Sequence, residues 1–268
     1  MQTYALQALQ ASGLISPQSP VEQEVFSMTT IEDCVIVDAS DVWKIYQTGQ
    51  LKVEALRGLN LKVKKGEMLA VMGPSGCGKT TLLNCVSGLD DVTKGKVTIE
   101  GTDLATMSDD QKAQFRARRM GFIFQAYNLL PVLTAQENVE LPLLLAGVSE
   151  SEAKTGARSA LKMVGLEDWR THKPAELSGG QQQRVTIARA LVNKPAIVWG
   201  DEPTGNLDSE NSEEIVRLLR SLNRDYGLTL VVVTHDQHVA QETDRIVLMR
   251  NGQIERQINA SGPNHSKA

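Results

Sequence analysis

No stretch of the 268 residues approaches the roughly 18 consecutive apolar residues that a membrane-spanning helix requires; the most apolar, Val139 to Val148, is interrupted by Glu140 and Pro142. The chain is also poor in cysteine. Its three, Cys34, Cys77 and Cys85, have no metal-ligand spacing and make no even-numbered disulfide set, so a reducing cytosol suits them. Nor does charge of one sign accumulate: 28 basic against 32 acidic side chains leave a net charge of −4 with no long block, which argues against a general nucleic-acid binder. The one basic cluster, Phe115 to Arg119, reads as a solvated helix face. Residues 1 to 15 lack the basic start and continuous apolar core of a signal peptide, and no Lys or Arg precedes Lys44, which weakens a transit-peptide reading. A membrane role must therefore come through a partner.

What is present is an ordered alternation. Residues 1–33, rich in Gln, Ser, Thr and Glu, read as a flexible lead with a short helix over Tyr4 to Gln10, and Met28 offers a second candidate start. Short β-like runs follow: Val35 to Val37, Val42 to Tyr46 and Val53 to Val63, then a turn at Lys64 to Glu67. Met68 to Met72 and Ala196 to Gly200 are apolar runs without alternation, as in strands buried on both faces, and Leu228 to Thr234 is a third. Ser108 with Gln111, Thr134 with Glu137 and Ser149 with Glu152 each make a capping box that opens a helix. The stretch from Gln125 to about Glu176 reads as a separate helical lobe, and Gln182 to Val192 as a further helix. Asp208 or Ser209 caps another, ended by Gly227. Asn251-Gly252 joins Arg245 to Met249 and Gln253 to Ile258 as a hairpin, and the tail from Asn259 reads as disordered. The pattern predicts α/β architecture: a mainly parallel central sheet, an antiparallel N-terminal part and an inserted helical lobe.

The chemistry is concentrated at strand ends, where open α/β sheets hold their ligands. After the strand ending at Met72 comes Gly73-Pro74-Ser75-Gly76-Cys77-Gly78-Lys79-Thr80-Thr81, which is G-x-x-x-x-G-K-T, and then a helix. In that setting the glycines let backbone N–H groups turn inward on phosphates, Lys79 reaches the β- and γ-phosphates, and the Thr80 hydroxyl ligates Mg²⁺. Asp201 ends a five-residue apolar strand and can hold Mg²⁺, while Glu202 can orient or deprotonate an attacking water. Gln125 and His235 end two other strands and suit sensing of a γ-phosphate. Cys77 lies at a helix N-terminus, but it reads as a small loop residue, because a bound phosphate opposes a thiolate.

Leu177-Ser178-Gly179-Gly180-Gln181 beside a P-loop resembles the signature of the ABC ATPases, a pentapeptide that average usage supplies by chance in on the order of one chain in ten thousand. The resemblance implies an ABC ATPase domain over residues 34–258, with its helical lobe at about 126–176. It implies that Tyr46 stacks on adenine, that Gln125 lines the Q-loop and the metal, and that Ser178, Gly179, Gly180 and Gln181 form the signature. It also makes Asp201 the metal-side carboxylate, Glu202 the general base, Asp208 the D-loop acid and His235 the switch histidine. Trp199-Gly200 departs from the small or aliphatic residues usual there, a change expected to loosen or reshape the end of that strand. Two further stretches, Glu202 to Asp208 and Gln125 to Pro131, resemble the lipoprotein-releasing and macrolide-export branch, in which the ATPase drives a separate membrane subunit.

The chain has one P-loop and one signature, and in this family the signature completes the site of the opposite subunit. The resemblance therefore implies a head-to-tail homodimer with two ATP molecules sandwiched, at the cytoplasmic face of a membrane beside an integral permease. Relatives that act on ribosomes carry two cassettes, and those of DNA repair carry a long coiled coil; neither feature is present. An ATP-dependent regulatory module that signals through a permease-like partner, and an importer ATPase, use the same parts.

Overall fold

The computed structural model describes residues 34–260; the lead to residue 33, with its expected helix at Tyr4 to Gln10 and second start at Met28, and the tail from residue 261 lie outside them. In chain order the elements are β1 (Val35–Thr48), β2 (Leu51–Lys64), β3 (Met68–Met72), α1 (Lys79–Val86), β4 (Lys94–Ile99), β5 (Thr102–Asp103), α2 (Asp109–Arg119), β6 (Met120–Phe124), α3 (Ala135–Leu145), α4 (Glu150–Met163), α5 (Gly179–Leu191), β7 (Ile197–Asp201), α6 (Ser209–Tyr226), β8 (Thr229–Val233), α7 (Gln237–Gln241), β9 (Arg245–Arg250) and β10 (Gln253–Asn259).

The apolar runs form the centre of a six-stranded sheet of order β10-β9-β3-β8-β7-β6, parallel except for the β9–β10 hairpin at its edge. Both faces are covered, so these strands need no polar side. The alternation survives inside the runs: Val198, Leu230 and Val232 enter one core with the helical lobe, α5 and α6. Ile197, Trp199, Val231 and Val233 enter the other, with α1 and the second sheet. That second sheet is antiparallel, of order β2-β1-β4-β5. The two short runs expected before Tyr46 are one strand, interrupted by a register shift between Ala39 and Val42 where Asp41 takes φ +49° and donates its N–H to Asn60 Oδ1.

Three expectations about boundaries change. The helix after the signature begins at Gly179 rather than Gln182, because Ser178 and Gln181 close a reciprocal capping box that draws both glycines into the first turn. At Ser149 the cap is present, but the Glu152 carboxylate bonds the Ser149 hydroxyl instead of its backbone N–H. The last strand runs to Asn259, which pairs with Arg245, so the ordered chain extends past the expected end at Ile258. The boxes at Ser108/Gln111 and Thr134/Glu137 form as expected, as does the Gly227 cap at φ +64°.

Trp199 does not loosen β7. The strand pairs with β6 and with β8 without a register break through Asp201, and the indole is 1% exposed in the core beneath α1. Its Nε1 is buried without a hydrogen-bond partner.

Candidate active site

The cradle is a loop between a buried strand and a helix with nothing capping its start. Gly78 takes φ +101°, and a Cβ there would sit 2.6 Å from the Ala55 carbonyl oxygen, so only glycine fits. No side chain caps α1 and no acidic residue stands in its first turn, which leaves the first N–H groups and the positive end of the helix for an anion. Lys79 Nζ donates to the carbonyls of Gly73 at 2.8 Å and Pro74 at 3.2 Å, which holds the ammonium across the loop. The loop is braced from outside: Gly252 N–H donates to the Cys77 carbonyl, and Arg57 N–H to the Gly252 carbonyl. Together these elements bound a cleft of about 500 Å³ lined by Ser75, Lys79, Thr80, Thr81, Glu202 and Asn251, among others.

β7 ends at Asp201 beside this cleft, and the next residue, Glu202, lines it. Thr80 Oγ1 donates to Asp201 Oδ1 at 3.4 Å. Burial, and then the neighbouring Glu202 charge, push the Asp201 carboxyl above its usual range, against the pull of Thr80 and Lys79. A partly buried carboxylate and a hydroxyl side by side fit a hard divalent cation that takes most of its ligands from phosphate and water. No cluster of three or more His, Cys, Asp or Glu fit for a metal occurs among the described residues, so a cation here would depend on such outside ligands. Glu202 itself stands in the left-handed region at φ +49°, held by its N–H to the Val233 carbonyl and by Gly205 N–H to its own carbonyl. Backbone strain of this kind gathers at functional positions. His235 Nδ1 lies 2.9 Å from Glu202 Oε1. A carboxylate only accepts, so the imidazole donates through Nδ1 and keeps Nε2 for another partner.

The other expected site residues are distributed around this centre rather than gathered in it. Tyr46, 40% exposed, faces its cross-strand partner Val53, which lines the cleft; its hydroxyl donates to Asp90 Oδ2 at 2.8 Å. Gln125 directs its amide to Asn206 Oδ1 at 3.1 Å, and Asn206 Nδ2 returns to the Gln125 carbonyl; neither bond joins it to Thr80 or Asp201. Ser178 caps α5, and none of residues 178–181 lines the P-loop cleft. Asp208 caps α6 by accepting from Asn211 N–H at 2.9 Å, and that bond, with a second from the Asn211 side chain, holds its carboxyl below the usual range. The first turns of α5 and α6 lie close together: a Cβ on Gly180 would sit 2.3 Å from Asn211 Oδ1.

Sequence reasoning missed the residues that position these groups from afar. Asn251 and Gly252 read as a hairpin turn, yet they close one wall of the cleft and brace Cys77. Asn138, fully buried on α3, accepts from Leu130 N–H and donates to the carbonyls of Leu130, Leu133 and Thr134, which pins the segment after Gln125 to the lobe. Arg189 on α5 donates to the carbonyls of Tyr127 and Asn128, both in the left-handed region. Only the residue types, amides and an arginine inside helical patterns, carried any signal.

A strand, glycine loop and helix at the carboxyl ends of a parallel sheet, with a carboxylate pair on the neighbouring strand, define a P-loop nucleotide-binding protein. The family described as ABC transporter matches residues 56–205, and the chain belongs to it, as an ATP-binding subunit. It is 54% identical to an ABC transporter ATP-binding protein of Thermotoga maritima over 82% of this chain and 94% of that one. Similarity to the lipoprotein-releasing system ATP-binding protein LolD of Legionella pneumophila is 43% identity over 82% and 97% of the two chains. The macrolide export ATP-binding/permease protein MacB of Syntrophobacter fumaroxidans is 46% identical over 87% of this chain, which spans 33% of that longer protein. These two matches agree with the branch that the loop motifs resemble. A dimeric post-hydrolysis structure of the ATP-binding cassette MJ0796, bound to ADP and phosphate, superposes with a TM-score of 0.78 at 45% identity, covering 84% of this chain and 99% of that one.

Proposed function

We propose that this ATPase works as a head-to-tail dimer that closes on two ATP molecules and thereby drives a separate membrane permease, in export or lipoprotein release. The observation that carries the reading is the separation within one chain: the phosphate cradle, Thr80 and Glu202 line one cleft, with Asp201 bonded to Thr80, and Ser178 to Gln181 open a different helix outside it. A second copy, turned about a two-fold axis, supplies its signature to the first copy's nucleotide. The solved structure of the MJ0796 cassette with ADP and phosphate is dimeric, which supports a dimer here.

In this reading the N–H groups of the loop and of α1 cradle the phosphates, and Lys79 exchanges its two carbonyl partners for phosphate oxygens. Thr80 and Asp201 would hold Mg²⁺, which would supply neutralisation of phosphate charge. Glu202 accepts the proton of the attacking water as its oxygen bonds to the γ-phosphorus and the β–γ bridging oxygen leaves with ADP. His235, bonded through Nδ1, fixes the orientation of Glu202 and offers Nε2 to the γ-phosphate. For Gln125 to reach the metal, its amide must leave Asn206, so loop position and nucleotide state are linked through that bond. Asp208, opposite the same dimer interface, contributes from the D-loop.

No helix among the described residues is long and apolar enough to cross a membrane. The surface that suits a permease helix is an apolar groove of about 430 Å³ between the lobe and the core, with Phe122, Phe124, Leu141 and Leu145 in its lining and Arg116 and Arg189 at hand. Leu145, 81% exposed, stands open to a partner there. In this reading the chain works at the cytoplasmic face of the membrane. The test is ATP turnover and mass in solution. Wild-type protein should hydrolyse ATP, whereas Glu202→Gln should lose turnover and double its mass when Mg-ATP is added. A Glu202→Gln protein that stays monomeric and hydrolyses ATP would refute the scheme.

A further inference from the structure

A network outside the phosphate cradle joins the two ends of the nucleotide site. The Asp90 carboxylate is shared: Oδ1 accepts from Lys44 Nζ at 2.5 Å and Oδ2 from the Tyr46 hydroxyl at 2.8 Å. Lys44 also donates to the Asp91 carbonyl at 2.7 Å, and its ammonium lies 4.9 Å from the centre of the Tyr46 ring. One face of that ring is therefore taken by a cation, which leaves the other for a base. Asp90 belongs to the loop that leaves α1, where its N–H and that of Leu89 both donate to the Asn84 carbonyl. The same loop is stitched to β1, by Thr93 N–H to the Trp43 carbonyl and by Ile45 N–H to Thr93 Oγ1. From α2, Lys112 bonds Asp91 and Arg116 bonds the Gly88 carbonyl.

We propose that Asp90 is a positioning residue for the nucleotide base: bridging Lys44 and Tyr46, it fixes the stacking ring and ties it to the helix whose other end holds the phosphates. The inference rests on the reading that Tyr46 receives adenine. An exposed tyrosine without partners samples several rotamers, and ordering it on binding costs affinity; here the order exists beforehand. The charges are consistent with fixed donor and acceptor roles. Burial and then Asp90 push the Tyr46 phenol up to about 12, so it stays a donor, and although burial acts against it, Lys44 and Tyr46 hold the Asp90 carboxyl below its usual range. The shared carboxylate also ties the stacking ring to the C-terminal end of α1 through the Leu89 and Asp90 N–H bonds to Asn84.

The experiment compares the affinity of ATP with that of inorganic tripolyphosphate, each by competition against a fluorescent ATP analogue, in wild type, Asp90→Ala, Asp90→Asn, Tyr46→Ala and the Asp90→Ala/Tyr46→Ala double variant. Asp90→Ala should weaken ATP about three- to tenfold and leave tripolyphosphate unchanged, which also shows that the cradle is folded. Asp90→Asn, which keeps an acceptor for the phenol, should recover part of the loss, and Asp90→Ala should add nothing once Tyr46 is alanine. Equal weakening of ATP and tripolyphosphate, unchanged ATP affinity, or full additivity with Tyr46→Ala would each overturn the role of Asp90 while leaving Tyr46 as the base platform. Unchanged ATP affinity in Tyr46→Ala alone would instead remove the platform reading, and the role of Asp90 with it.

Discussion

Glu202 combines a role in the chemistry with a strained backbone, and the two can be measured apart. At φ +49° a residue with a Cβ sits about 1 kcal/mol above its relaxed state, whereas asparagine tolerates that region at a smaller cost. Replacing Glu202 by Gln keeps the length and the strain but removes the base; replacing it by Asn removes the base and most of the strain. Gln keeps an amide oxygen for His235 Nδ1 that the shorter Asn lacks, but the His235 side chain is 72% exposed, so that bond contributes little against water. The Asn variant should therefore be more stable than the Gln variant by about 0.5–1 kcal/mol, or about 2 °C in melting temperature for a domain of this size. Denaturant titration of nucleotide-free protein, with equal slopes for the two variants, reads this directly. Turnover should be lost in both. A Gln variant as stable as the Asn variant would show that the turn at 202 stores no strain, and the link between strain and function would fall.

The raised Asp201 carboxyl makes a pH prediction. A carboxyl whose folded value lies above its unfolded one adds stability that is complete below the unfolded value, near 3.8, and is lost as pH rises through the folded value. Asp201→Asn should therefore be more stable than wild type at neutral pH in the absence of nucleotide and metal, with the advantage shrinking as pH falls toward 4; denaturation across pH tests this, and a constant difference would refute it. Trp199 supplies a third prediction. Trp199→Phe removes an unpartnered buried N–H worth about 1–3 kcal/mol while giving up ring volume, so the net change should stay within about 1 kcal/mol, whereas Trp199→Ala should cost about 3–5 kcal/mol. Equal losses for Phe and Ala, in the same titration, would mean that the indole N–H has a partner after all.

What could be read from the sequence was local. The P-loop is legible because strand, glycines, lysine and helix are consecutive, and the capping boxes at Ser108 and Thr134 are legible because their partners lie three residues apart. Val198 and Leu230 are assigned to a buried sheet by the apolar runs they belong to. The rest depends on pairs far apart in the chain. Nothing in the spacing of Asn251-Gly252 shows that the hairpin braces Cys77, and nothing about Asp90 shows that it meets Tyr46 across 44 residues. Gln125 reads as a γ-phosphate sensor from its place at a strand end and as a metal-side residue from the family resemblance, but its amide is bonded to Asn206, a contact that depends on how the loop after β7 turns back. Trp199 looked disruptive because its neighbours in the second core, α1 and the strands on either side, are invisible from Ile197 to Asp201 alone.

The central claim is that the signature of one copy completes the site of another, and mixing two inactive variants tests it most directly. Lys79→Ala disables the cradle and Ser178→Arg disables the signature, so each protein alone should lack turnover. If the sites are shared, half of the dimers in an equal mixture pair one variant with the other and contain one intact site of two. Turnover should then return to about a quarter of the wild-type value. A mixture that stays inactive although ATP still brings the two chains together, or a Ser178→Arg protein that hydrolyses ATP unaided, would contradict the account.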